Sequence, residues 1–187
     1  MRLAAFLFAL VLPVAASAAS VNLPARPAPT PVDKLFERLA QASSPEEAKP
    51  IEEQIEALFL QSSSPTVDLL MARAAASEQT QDLETARKLL NSIVVLAPDY
   101  AEGWRRLGTL QALGGDDAGA MISLERAVTL NPRHFAAMSE LADMLEDYGD
   151  KKAALAIYRK ALALDPQLEG VARHVRALEK EVEGEPT

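Results

Sequence analysis

Few side chains in this sequence could do covalent or metal chemistry, and the spacing argues against each of them. The two histidines, His134 and His174, stand far apart. Neither falls in a two-histidine or His-Glu zinc pattern, which needs ligands about one helical turn apart. There is no cysteine, which excludes thiolate nucleophiles, disulfides, cysteine-held metals and a lipidated cysteine. No serine sits in a Gly-x-Ser-x-Gly elbow, and Gly114-Gly115 follows no strand, so it reads as a turn and not as a phosphate cradle. Glu140, Asp143, Glu146 and Asp147 crowd one short stretch, but acids at helical spacing are usually a solvated face. The expectation is a chain with no catalytic residue, metal or cofactor, whose function lies in a surface.

The elements that build such a surface follow from composition and pattern. Apolar residues make up 49% of the 187 and aromatics only 5%, much of the rest of the apolar share being alanine and leucine, which cost least in a helix. Formal net charge is −8, which argues against nucleic-acid binding, because that depends on Lys and Arg displacing condensed counterions. At the start, Met1-Arg2, the apolar run Leu3 to Val14 and the small-x-small triplet Ala16-Ser17-Ala18 form an export signal over residues 1–18. The run is shorter than the roughly 20 residues of a spanning helix, so cleavage after Ala18 or Ala19 and no lasting membrane insertion are expected. Residues 19–32 carry Pro24, Pro27, Pro29 and Pro31 and read as an extended linker, because proline removes backbone donors and fixes φ.

Beyond the linker the chain repeats. Pro98, Pro132 and Pro166 recur every 34 residues, and the same interval links Leu96, Leu130 and Leu164, then Ala86, Ala120 and Ala154, then Asp82, Asp116 and Asp150. Leu70, Trp104 and Met138, followed by Ala74, Gly108 and Ala142, complete the register. The units are therefore 67–100, 101–134 and 135–168. Each predicts two helices: an apolar stripe at three- and four-residue spacing, a glycine turn at Gly114-Gly115 or Tyr148-Gly149, an aspartate cap, a second stripe and a terminating proline. Before them, Leu35, Phe36 and Leu39, then Ser44-Pro45-Glu46-Glu47 and Ile51, Ile55, Leu58 and Phe59 predict a helical hairpin over 33–66 that covers the open end of the first repeat. Pro50 should kink its second helix or mark the start. After them, Val171, Val175, Leu178 and Val182 predict a capping helix within 169–187.

Trp104, Leu107, Gly108, Ala120, Leu124, Ala127 and Pro132, and again Leu141, Ala142, Ala154, Tyr158, Ala161 and Pro166, resemble the tetratricopeptide repeat family. The first unit departs from that pattern at Arg73 and at Gln81, which replaces the turn glycine. The resemblance implies an all-α, short right-handed α-solenoid of helix hairpins with an N-terminal hairpin cap and a C-terminal capping helix. Segments such as Pro98-Asp99-Tyr100-Ala101-Glu102-Gly103-Trp104 are similar to small exported repeat proteins of alphaproteobacteria, which implies a periplasmic address.

By the same resemblance the first helix of each unit lines a concave face. Asp68, Met71, Ala75, Glu78 and Gln79, then Glu102, Arg105, Thr109, Ala112 and Leu113, then Ala136, Ser139, Asp143, Glu146 and Asp147 would point into it. The family subset that grips C-terminal carboxylates uses basic and amide residues where this chain has Met71, Ala75, Arg106, Ala136 and Glu140, so that clamp is not assembled. Two readings follow. One is a periplasmic adaptor holding a protein or peptide segment, with basic and apolar side chains suited to an acidic rim. The other is a self-associating envelope protein whose terminal helices pair with a second copy.

Overall fold

The computed structural model describes residues 30–184, in which the backbone forms helices joined by short turns. The signal segment and most of the linker lie outside the described residues. In order, the helices are α1 Pro31–Leu39, α2 Pro45–Phe59, α3 Pro65–Gln79, α4 Leu83–Leu96, α5 Ala101–Leu113, α6 Asp117–Leu130, α7 Phe135–Asp147, α8 Lys151–Leu164 and α9 Val171–Val182. No helix among the described residues is long and apolar enough to cross a membrane. Thr30 caps α1 and Pro31 is its first residue, so the last two residues assigned to the linker belong to the helix. Proline fits there because the first-turn N–H groups have no intrahelical acceptor. Helix α2 runs unbroken through Pro50.

The 34-residue register is the register of the fold. Asp82, Asp116 and Asp150 each precede the second helix of a unit, and each side chain accepts the backbone N–H three residues on, at 3.1, 3.0 and 3.0 Å. Gly115 and Gly149 occupy the left-handed region at φ 78° and 85°, and Gln81 holds the equivalent place at φ 61°. The paired helices touch at the small-residue columns: a Cβ on Gly108 would stand 2.8 Å from Leu124 Cγ and 3.2 Å from the Ala120 carbonyl oxygen. Ala74, Ala86, Ala120, Ala142 and Ala154 are all fully buried. Three helix pairs, α3–α4, α5–α6 and α7–α8, stack in sequence, with apolar clusters running from Val67 and Met71 through Leu90 and Leu107 to Leu124 and Leu141. The α9 stripe of Val171, Val175 and Leu178 closes the far end against Ala142, Leu155 and Tyr158.

The N-terminal hairpin forms as expected, and its seat is a finding. Its buried side chains, Phe36, Leu39, Ala48, Ile51 and Ile55, cluster with Phe135 of the third unit, alongside Ala136, Leu164 and Leu168. Gln167 Nε2 donates to the Ala42 carbonyl at 3.2 Å, Tyr100 Oη to the Leu60 carbonyl at 2.8 Å, and Arg133 pairs with Asp33 at 2.5 Å while its guanidinium lies 3.9 Å over the Phe36 ring. The hairpin thus lies across the starts of α5 and α7 and the turn into α9. The apolar cluster around α3 includes no hairpin residue, and Leu69 on α3 is left 62% exposed. Apolar area near Phe135 and Leu168 gives α2 more to bury than the alanine-rich outer side of α3 does.

Candidate functional site

The first helices α3, α5 and α7 line a groove with two adjoining depressions. One, of about 490 Å³, is lined by Glu78, Gln81, Leu83, Arg105, Arg106, Thr109, Leu110 and Leu113. The other, of about 300 Å³, lies between α5 and α7 and is lined by Thr109, Ala112, Leu113, Leu124, Glu140, Asp143 and Met144. Leu113 is the ridge between them and is 72% exposed. Glu78, Arg105, Thr109, Leu113 and Asp143, expected at the concave face from the sequence, line this groove. Ala75 and Ser139 are half-buried on the same first helices.

Three expected groove residues are elsewhere, Ala136 being packed against the N-terminal hairpin. Met71 is buried between α3, α4 and α5. Its thioether fills core because the turn from Val67 to Ala74 faces α4. Glu102, expected on the acidic rim, is only 4% exposed. Its carboxylate accepts from Arg105 Nε and Nη2 at 2.8 Å each, from Arg106 Nε at 3.0 Å and from His134 Nε2 at 2.9 Å. His134 Nδ1 accepts the Ala137 N–H at 3.4 Å, so the neutral ring carries its proton on Nε2, aimed at Glu102. Phe59 of the hairpin covers that ring at a centroid distance of 4.8 Å. Burial would raise the Glu102 pKa, but the bonds from Arg105 and His134 and the Arg105 charge outweigh it and hold the carboxyl well below its usual range.

The network continues to the groove surface. Arg105 Nη1 donates to Glu140 at 2.6 Å, Thr109 Oγ1 donates to the other Glu140 oxygen at 2.5 Å, and Arg106 Nη1 reaches Glu78 at 3.4 Å. Arg106, Glu140 and His134 were not among the residues expected to form the site. The signal that could have found Glu140 is its place one position past Ser139 on the same helix, within reach of Arg105 on the neighbouring first helix. At the far end of the groove, Tyr158 Oη donates to Asp143, and Glu146 lies 2.9 Å from His174 Nδ1 and 3.1 Å from Tyr158 Oη. Burial raises the Asp143 pKa against that Tyr158 bond. Asp147 is exposed. The expected acidic rim therefore reduces to Asp143, Glu146 and Asp147, while Glu78, Glu102 and Glu140 share the two arginines Arg105 and Arg106. Such an arrangement offers a shaped, pre-paired polar floor and an apolar ridge, and no nucleophile activated by a base. Among the described residues no group of three or more His, Asp or Glu could hold a metal ion.

Comparison with known proteins agrees with this geometry. Residues 67–110 and residues 123–169 each match a sequence model described as tetratricopeptide repeat. A TPR repeat-containing protein of Rhizobium etli is 30% identical over 156 residues, 83% of this chain and 76% of that protein. The Sgt2 TPR domain of Aspergillus fumigatus superposes with a TM-score of 0.58 at 20% identity, covering 66% of this chain and 87% of the domain. The Yersinia enterocolitica type III secretion chaperone SycD, solved in complex with a peptide of the translocator YopD, gives a TM-score of 0.58 at 18% identity over 63% of this chain and 95% of its own.

Proposed function

Because the chain belongs to the tetratricopeptide repeat family, we propose that it is a non-enzymatic adaptor that holds a peptide segment of a partner protein along the groove of α3, α5 and α7. The observation that carries this reading is the exposed Leu113 ridge, with a mixed polar and apolar depression on one side and a largely apolar one on the other. Two apolar side chains of an extended or helical segment would straddle the ridge, and desolvated apolar anchors supply most of the affinity in such interfaces. A basic side chain of the ligand would meet Asp147 and Glu146 at the open end. SycD, of the same architecture, was solved with a bound peptide, which supports the mode and says nothing of the partner. The signal-like pattern of residues 1–18 supports reading this adaptor as a periplasmic one.

The mature chain is the bait, offered in parallel to periplasmic and cytosolic extracts of a Gram-negative bacterium, with bound proteins identified by mass spectrometry. A periplasmic protein should be retained by the wild type and by Ile122→Glu, which alters an exposed residue of α6 away from the groove, and lost with Leu113→Glu. Retention by Leu113→Glu would overturn the groove. A second reading is favoured by the uncovered Leu69 on α3: self-association through that face, revealed if Leu69→Glu converts a dimer to a monomer in analytical ultracentrifugation.

A further inference from the structure

We propose that the N-terminal hairpin is latched by one proton shared between Glu52 of α2 and Asp165 at the turn into α9, so that loss of the proton loosens the hairpin from the array. Asp165 is fully buried, and its Oδ2 is a buried side-chain polar atom with no hydrogen-bond donor among the ordinary partners of the structure. Its Oδ1 accepts the Gln167 N–H at 3.0 Å. One unit earlier the same place is held by Asn131, whose Oδ1 accepts the Arg133 N–H at 3.1 Å. The turn therefore needs one side-chain oxygen and is served equally by an amide. The second carboxylate oxygen of Asp165 is surplus to the turn, and the Glu52 carboxyl of α2 lies against the Asp165 side chain.

Two carboxylates in contact, one of them fully buried, cannot both be ionised at low cost, so one keeps a proton and donates it to the other. Protonated Glu52 supplies the donor that Asp165 Oδ2 lacks. Burial and the contact with Asp165 push Glu52 up to about 7, with Glu56 adding to the effect and Lys49 opposing it. Burial also raises Asp165. Of the other ionisable groups beneath the hairpin, Asp33 is held at about 2 by Thr30 and Arg133, so that ion pair persists across the neutral range, and His134 lies under Phe59. The sign follows from the proton count. A docked hairpin holds a proton that a free Glu52, at 4.5, releases to solvent, so docking is strongest below 4.5, weakens as pH climbs toward about 7 and levels off beyond.

What the latch covers gives it a use. The hairpin lies over His134, Phe135 and Ala136 at the start of α7, and undocking would lengthen the groove toward Glu102. That last consequence rests on the adaptor reading, whereas the latch does not. Hydrogen exchange on the full chain without any ligand separates the two. Corrected for intrinsic rates, protection of α1 and α2 relative to α5 and α6 should fall at least about tenfold from about pH 5 to about pH 8, since each unit of pKa difference is a factor of ten in the docking equilibrium. Glu52→Gln keeps a donor and removes the titration, and Asp165→Asn copies Asn131. Either should leave the hairpin protected at both pH values. Equal protection of the wild type at both pH values would overturn the latch. So would a pH dependence that survives in Glu52→Gln.

Discussion

At the scale of single residues, Glu102 shows how much a groove reading depends on what neighbouring side chains do. Its position in the repeat suggests exposure, yet two arginines and a histidine converge on it. Removing one partner of a buried charge network leaves the others uncompensated, typically at about 3–5 kcal/mol. Glu102→Ala should therefore lower the unfolding free energy obtained from urea titration by an amount in that range, with unchanged helical content at low denaturant. Because the folded state depresses this carboxyl's pKa below 4.5, its stabilisation is fully present above 4.5 and is lost as pH falls below that value. The wild type should accordingly lose stability through acid more steeply than Glu102→Ala. The Asp143 bond to Tyr158 carries a related lesson. A charge reversal there would strip a buried phenol of one of its two acceptors, so Asp147 is the acid whose reversal tests the rim without disturbing the fold.

Among the elements, the second-helix caps and turns were legible from spacing alone, because capping and left-handed turns are local requirements that leave a mark at fixed offsets. The one irregular turn makes a prediction. Gln81 sits at φ 61° where the other units use glycine, and a side chain in that region costs on the order of 1 kcal/mol. Gln81→Gly should raise stability by about 0.5–1 kcal/mol in thermal or urea unfolding, reduced somewhat by loss of its 3.3 Å bond to the Glu78 carbonyl. An equal or lower midpoint would show that the first unit is limited elsewhere. What spacing could not reveal was Met71 in the core, Glu102 buried against His134, or the seat of the hairpin. Each depends on partners dozens of residues away, and periodicity records only which face of a helix is apolar, not what comes to cover it.

For the molecule as a whole, the hairpin changes how the units depend on one another. A simple stack of repeats is held by neighbour-to-neighbour contacts, so its stability is a sum of local terms. Here one element touches the end of the first unit through Tyr100, the second through Arg133 and His134, and the third through Phe135, Leu164 and Gln167. Deleting residues 30–62 should therefore raise hydrogen exchange chiefly at the starts of α7 and α9, while α3 and α4 change little. The reverse pattern would mean that the hairpin serves the first unit after all. Its contacts also reach 100 residues along the chain from Asp33 to Arg133 and 125 from Ala42 to Gln167. Closing loops of that size is slow compared with pairing adjacent helices. During synthesis the hairpin is made before any of the surface it sits on, and it must wait, its apolar face in solvent, until the last repeat has formed. The hairpin, made ahead of the repeats, is thus the last to find its place, and the interval between its synthesis and its docking is when this protein is most open to a chaperone or to aggregation.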